Sequence, residues 1–132
     1  MKFLLDTNIC SAYLKGHPSV WNRFIQHSGG LATSVVCAGE LWTWVKRGKV
    51  SAKSQQAVAD FYSLIEIVDI DLDVALSFGE LRAKMMDAGT PMPDMDCLIA
   101  ATAVVHDLTL VTNNTVDFSN LTSLRMQDWL SP

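Results

Sequence analysis

Apolar runs too short to be helices, Phe3-Leu4-Leu5, Leu31 to Val35, Ile65 to Ile70 and Leu108 to Thr112, alternate along this chain with longer segments of helical periodicity. That alternation leaves few folds open. Parallel strands cannot be joined by a tight turn and need a crossover helix, so the pattern predicts a parallel sheet covered by helices, an α/β domain. Helices are expected from Thr7 or Asn8, as cap, to about Leu14, from Pro18 to His27, and from Val36 to Lys46. Further helices follow a Ser51 cap to about Leu64, then run over Leu72 to Ala88 and, after a Gly89 to Pro93 loop, from Asp94 through Met95 to Val105. Ser123 to Gln127 reads as a last strand.

At 132 residues, with 49% apolar and 18% charged side chains, the chain suits one domain spanning 1–132 with a real core. No apolar stretch approaches the roughly 18 residues that a membrane helix needs, and only Phe3-Leu4-Leu5 precedes Asp6, so neither a signal peptide nor membrane association is expected. A cytoplasmic protein follows as the expectation. Cys10, Cys37 and Cys97 are odd in number and widely spaced, which disfavours a disulfide framework and a zinc site and marks them as reduced core residues.

Four acids occupy informative places. Asp6 directly follows the first strand, where ligands gather in open parallel sheets and a following helix presents free N–H groups. Helix capping is its ordinary role, though Thr7 and Asn8 are alternative caps. Glu40 has Val36, Cys37, Thr43 and Trp44 as helical neighbours, a mostly apolar face on which a lone carboxylate is costly. A metal or its water is the expected partner. Asp96 opens the uncharged run Cys97 to Val105, and since Asp94 already supplies a cap, Asp96 is expected to have another duty. Asp117 lies in the turn region after the Leu108 to Thr112 strand, beside Thr112, Asn113 and Asn114, which with Asn8 form candidate hydrogen-bonding supports for ligands. Packed carboxylates repel and take up protons unless a cation holds them ionised, so folding the four together predicts a Mg²⁺ (or Mn²⁺) pocket and metal-dependent hydrolysis.

A net charge of −4 argues against nucleic-acid binding in general, but Lys46, Arg47 and Lys49 cluster at a predicted helix end and are candidate RNA contacts. The three histidines are scattered, without a His-Glu-x-x-His pattern, and there is no glycine-rich phosphate loop. Phosphoryl transfer on a strand-end aspartate is a rival, weakened because Asp6-Thr7-Asn8 lacks a second Asp and no Lys follows the late strand.

Leu4-Leu5-Asp6-Thr7-Asn8, Gly39-Glu40-Leu41, Asp96-Cys97-Leu98-Ile99-Ala100-Ala101 and Leu110-Val111-Thr112-x-Asn114-x-x-Asp117-Phe118 together resemble the motifs of PIN-domain ribonucleases, specifically VapC-type toxins. The resemblance covers nearly the whole chain. It implies a three-layer α/β/α domain with a short central parallel sheet, and a Mg²⁺- or Mn²⁺-dependent endoribonuclease, the toxin of a type II toxin–antitoxin system. A cognate antitoxin, an RNA substrate and a homodimer are implied partners. By motif, Asp6 and Asp96 match the surest metal ligands, Glu40 the acid that completes the pocket, and Asp117 the more variable fourth acid. Pro93, where a small Gly is frequent, and Cys97, in place of an aliphatic residue, depart from the pattern. The alternative is an RNA-binding or partner-binding module on the same fold with no catalytic activity. Trp21, Trp42 and Trp44, near basic helix ends, are the expected surface for an antitoxin segment.

Overall fold

A computed structural model describes residues 1–131. Among them the chain runs β1 (Phe3–Leu5), α1 (Thr7–Leu14), α2 (Pro18–Gln26), β2 (Leu31–Ser34), α3 (Val35–Arg47), α4 (Ala52–Leu64), β3 (Glu66–Val68), α5 (Leu72–Asp87), α6 (Asp94–Val105), β4 (Thr109–Val111) and β5 (Met126–Gln127). All five strands are parallel, in the order β3-β2-β1-β4-β5.

The strands are short but read the two faces cleanly. Phe3, Leu5, Leu31 and Val111 face one apolar cluster, with Ile9, Phe24, Phe61 and Trp129 from the helices α1, α2 and α4 and the C-terminal segment. Leu4, Ala32 and Leu110 face the other, with Val74, Leu81, Ile99 and Ala103 from α5 and α6. Period-two alternation on a pleated strand therefore separates two helical layers. Cys37 and Leu41 place α3 in contact with both clusters. The α6 run from Cys97 to Ala103 is almost wholly buried, as its lack of charge demands. All three cysteines are free and buried.

The boundaries differ from the sequence reading at the caps. The second strand ends at Ser34, which caps α3 by accepting from the Val36 N–H at 3.1 Å, so Val35 begins the helix. Asp6, not Thr7 or Asn8, caps α1: its Oδ1 accepts from the Thr7 N–H at 2.8 Å. Pro93 occupies the cap of α6 without a side-chain bond, and Asp94 is instead paired with Arg82 at 3.1 Å. Ser51 caps α4 as expected.

Because β1 is central, the chain leaves it toward β2 on one side and returns to β4 on the other. The carboxyl ends of β1 and β4 therefore flank a switch point, the crevice where parallel sheets collect ligands.

Candidate active site

Asp6 sits in that crevice, only 5% exposed. Its backbone N–H continues the sheet by donating to Val111 O at 2.9 Å. Its carboxylate is held on both oxygens. Oδ1 takes the Thr7 N–H, while Oδ2 accepts the Thr112 hydroxyl at 2.8 Å and the Asn8 amide at 3.4 Å. Thr112 is the residue after β4 and is itself buried, so the bond ties the two strand ends across the switch point. Such donors fix the direction of the carboxylate.

The turn beyond β4 is latched to the same group. Asn113 donates its backbone N–H to Asn8 Oδ1 at 3.1 Å, and the Asn114 N–H donates to Thr112 Oγ1 at 3.0 Å. Asn114 O then accepts the Asp117 N–H at 3.0 Å. Asn113 and Asn114 thus hold the turn through their backbone N–H groups, and both residues are exposed.

Glu40 is half-buried rather than set in an apolar face, since Thr43 and Trp44 are exposed. The Thr7 hydroxyl donates to its Oε1 at 2.8 Å. Thr7 therefore joins the two acids, its N–H on Asp6 and its Oγ1 on Glu40. Cys37, one turn before Glu40 on α3, places its thiol 3.9 Å from Asp6 Oδ1. Burial, then the Asp6 charge, pushes that thiol up to about 12, so it stays protonated against the carboxylate. Sequence reasoning missed Thr7 and Cys37 as site residues. The adjacency of Thr7 to Asp6 and the i, i+3 spacing of Cys37 and Glu40 are the signals that pointed there.

Asp96 lies in the first turn of α6, half-buried. Its pKa is raised, first by burial and then by the charges of Asp6, Glu40 and Asp117. Those three causes place all four carboxylates in one electrostatic field, with Asp117 on its exposed side. Among the described residues the ion pairs are Arg82 with Asp94 and Arg125 with Asp107, so none of the four acids is paired with a cation of the chain.

The donor set is all carboxylate oxygen, which suits Mg²⁺ or Mn²⁺ rather than zinc or copper. Among the described residues no three acidic, histidine or cysteine side chains stand close enough together to enclose an ion by themselves. Mg²⁺ makes no such demand, because it characteristically takes one or two carboxylates and keeps several waters.

Lys46, Arg47 and Lys49 are exposed at and just beyond the end of α3. Lys46 lies 5.4 Å from the centre of the Trp42 ring, whereas Arg47 borders a groove that Glu40 also lines.

Residues 3–123 match the PIN domain family model. The chain belongs to the PIN-domain family. This PIN domain is 35% identical over 130 residues to the tRNA(fMet)-specific endonuclease VapC of Shigella flexneri, covering 98% of each chain. Among solved structures it resembles VapBC2 from Rickettsia felis bound to a promoter DNA fragment, with a TM-score of 0.90, 31% identity and coverage of 98% and 99%. It also resembles a toxin–antitoxin complex from Klebsiella pneumoniae, with a TM-score of 0.73, 25% identity and coverage of 93% and 95%. The four acids of the crevice come from the four motifs by which the sequence resembled this family. Among the described residues no helix is long and apolar enough to cross a membrane.

Proposed function

We propose that this PIN domain is an endoribonuclease that uses Mg²⁺ or Mn²⁺ to hydrolyse RNA phosphodiester bonds, and is the toxin of a type II toxin–antitoxin pair. One observation carries the reading: the charges of Asp6, Glu40 and Asp117 all bear on Asp96 near the sheet's carboxyl edge, and among the described residues none of the four acids is in an ion pair. The Shigella flexneri relative, a tRNA(fMet)-specific endonuclease, supports RNA as substrate, and the Klebsiella pneumoniae complex supports an antitoxin as partner. A homodimer working in the cytoplasm belongs to the same reading.

Asp6 and Asp96 would hold the ion, with Glu40 and Asp117 completing its surroundings. When bound, a divalent cation offsets the repulsion between carboxylate and phosphate and acidifies water. Thr112 and Thr7 keep Asp6 aimed into the crevice, so little reorganisation is needed at the moment of reaction. Thr7 also steadies Glu40, leaving its second oxygen to orient water or take a proton at the rim. The N-terminus of α6 lends its dipole to the ionised form of Asp96.

Asp6→Asn and Asp96→Asn are each expected to abolish Mg²⁺-dependent cleavage of RNA while the circular-dichroism spectrum stays that of the wild type. Cleavage by the wild type that survives EDTA, or that persists in both purified variants, contradicts the proposal.

A further inference from the structure

The three tryptophans that the sequence groups together have different surroundings. Trp21 is stacked on Tyr13, with ring centres 5.4 Å apart, and donates its indole N–H to Tyr13 O at 2.7 Å. Trp42 carries Lys46 over its ring. Trp44 is 46% exposed and stands one helical turn beyond Glu40 on the same face of α3.

Two concavities meet at Trp44. One, of about 220 Å³, is lined by Thr7, Leu14, Lys15, Glu40 and Leu41 beside the indole. The other, an open groove of about 420 Å³, is lined by Glu40, Thr43 and Arg47 beside the same indole. Both open on the carboxylate that Thr7 holds. Roughly 150 Å³ accommodates a benzene ring, so the first holds one aromatic base. Leu14 and Leu41 give it an apolar lining and Lys15 a cation, and the groove is lined by another cation, Arg47. Both cations are exposed, and among the described residues neither is in an ion pair.

We propose that Trp44 is a stacking platform for a base of single-stranded RNA next to the cleaved phosphodiester, with Lys15 and Arg47 receiving the phosphates on either side. The inference rests on the nuclease reading and deepens it by naming the form of the substrate. An exposed indole shared by two concavities, each lined by a cation, suits a ligand that carries an aromatic face and flanking negative charge together, and a nucleotide has both. Because every base has a π-face, the platform selects unpaired RNA over a duplex, whose bases are stacked on one another. Trp44 is thus a substrate-positioning residue, one turn from Glu40 and outside the carboxylate set.

The test has two arms. In steady-state cleavage of a short single-stranded RNA, Trp44→Ala is expected to raise KM about 5- to 150-fold, the loss that removal of a stacked aromatic brings, with kcat nearly unchanged. Trp44→Phe keeps most of the wild-type KM, and a blunt RNA duplex is hardly affected by either change. In the second arm, the same RNA is titrated into an Asp96→Asn protein that also carries Trp21→Phe and Trp42→Phe, which leaves Trp44 and the buried Trp129 to fluoresce. Saturable quenching that disappears on Trp44→Ala supports the platform. Wild-type KM and wild-type RNA affinity in a folded Trp44→Ala protein overturn it, as does a Trp44→Ala protein that loses only affinity for the purified cognate antitoxin, which would give the groove to a protein partner. A wild type that cuts no RNA while Trp44-dependent quenching persists removes the nuclease reading and leaves the platform standing.

Discussion

At the carboxyl edge of the central strands four acids bear on one another, whereas elsewhere two acids, Asp94 and Asp107, each meet an arginine. Asp94 and Asp96 make the contrast within one helical turn. Asp94 is exposed and bonded to Arg82, while Asp96 is half-buried among Asp6, Glu40 and Asp117. Asp107, at the far end of α6, likewise receives Arg125 at 2.8 Å. Two exposed acids are thus neutralised where water would screen them anyway, while among the described residues the buried Asp6 and the half-buried Asp96 have no cationic partner. Stability alone does not account for that distribution.

The contrast sharpens if it is broken at its most buried bond. Thr112→Val removes the hydroxyl from Asp6 Oδ2 and the acceptor of the Asn114 N–H, and is expected to cost roughly 1.5–3 kcal/mol in denaturant unfolding at neutral pH. Cleavage should fall with it, because Asp6 loses its aim. The surface pairs should behave oppositely. Arg125→Ala and Arg82→Ala, which break exposed ion pairs, are each expected to cost less than about 1 kcal/mol, with cleavage at the wild-type rate. Equal losses at the rim and at the surface would erase the distinction.

How far the sequence revealed this site depended on how far apart its parts lie along the chain. The alternating short strands gave the parallel sheet, and residues at strand ends and helix starts gave the four acids, because those features are local. The supports were legible only in part: Thr112 and Asn8 stood out beside the acids, but which acid they bond, and the role of Thr7, did not. Thr112 meets Asp6 across 106 positions, and Thr7 meets Glu40 across 33, so both depend on strand order rather than on neighbours. Asp94 seemed a cap because cap rules see only the helix start, but its oxygen goes to Arg82 on α5, 12 positions earlier. Glu40 looked buried because its helical neighbours are apolar in type, yet Thr43 and Trp44 are exposed, which opens the groove beside it. Composition hid the basic residues near the site as well: the net charge of −4 says nothing of Lys15 and Arg47, each lining one of the two concavities beside Trp44.

The central claim is that these acids oppose one another until a divalent ion joins them, and a thermal-unfolding comparison with and without Mg²⁺ tests it directly. Asp96 binds its proton more tightly folded than unfolded, so its ionisation costs stability. That cost is absent below the ordinary carboxylate range, grows as pH rises, and is complete above the raised folded pKa. In EDTA at neutral pH, Asp96→Asn is therefore expected to unfold at a higher Tm than the wild type, with the difference vanishing as the solution is acidified through the usual carboxylate range. Saturating Mg²⁺ should raise the wild-type Tm and leave the variant's nearly unchanged. A wild type indifferent to Mg²⁺, or an Asp96→Asn protein less stable than the wild type in EDTA at neutral pH, would contradict the account.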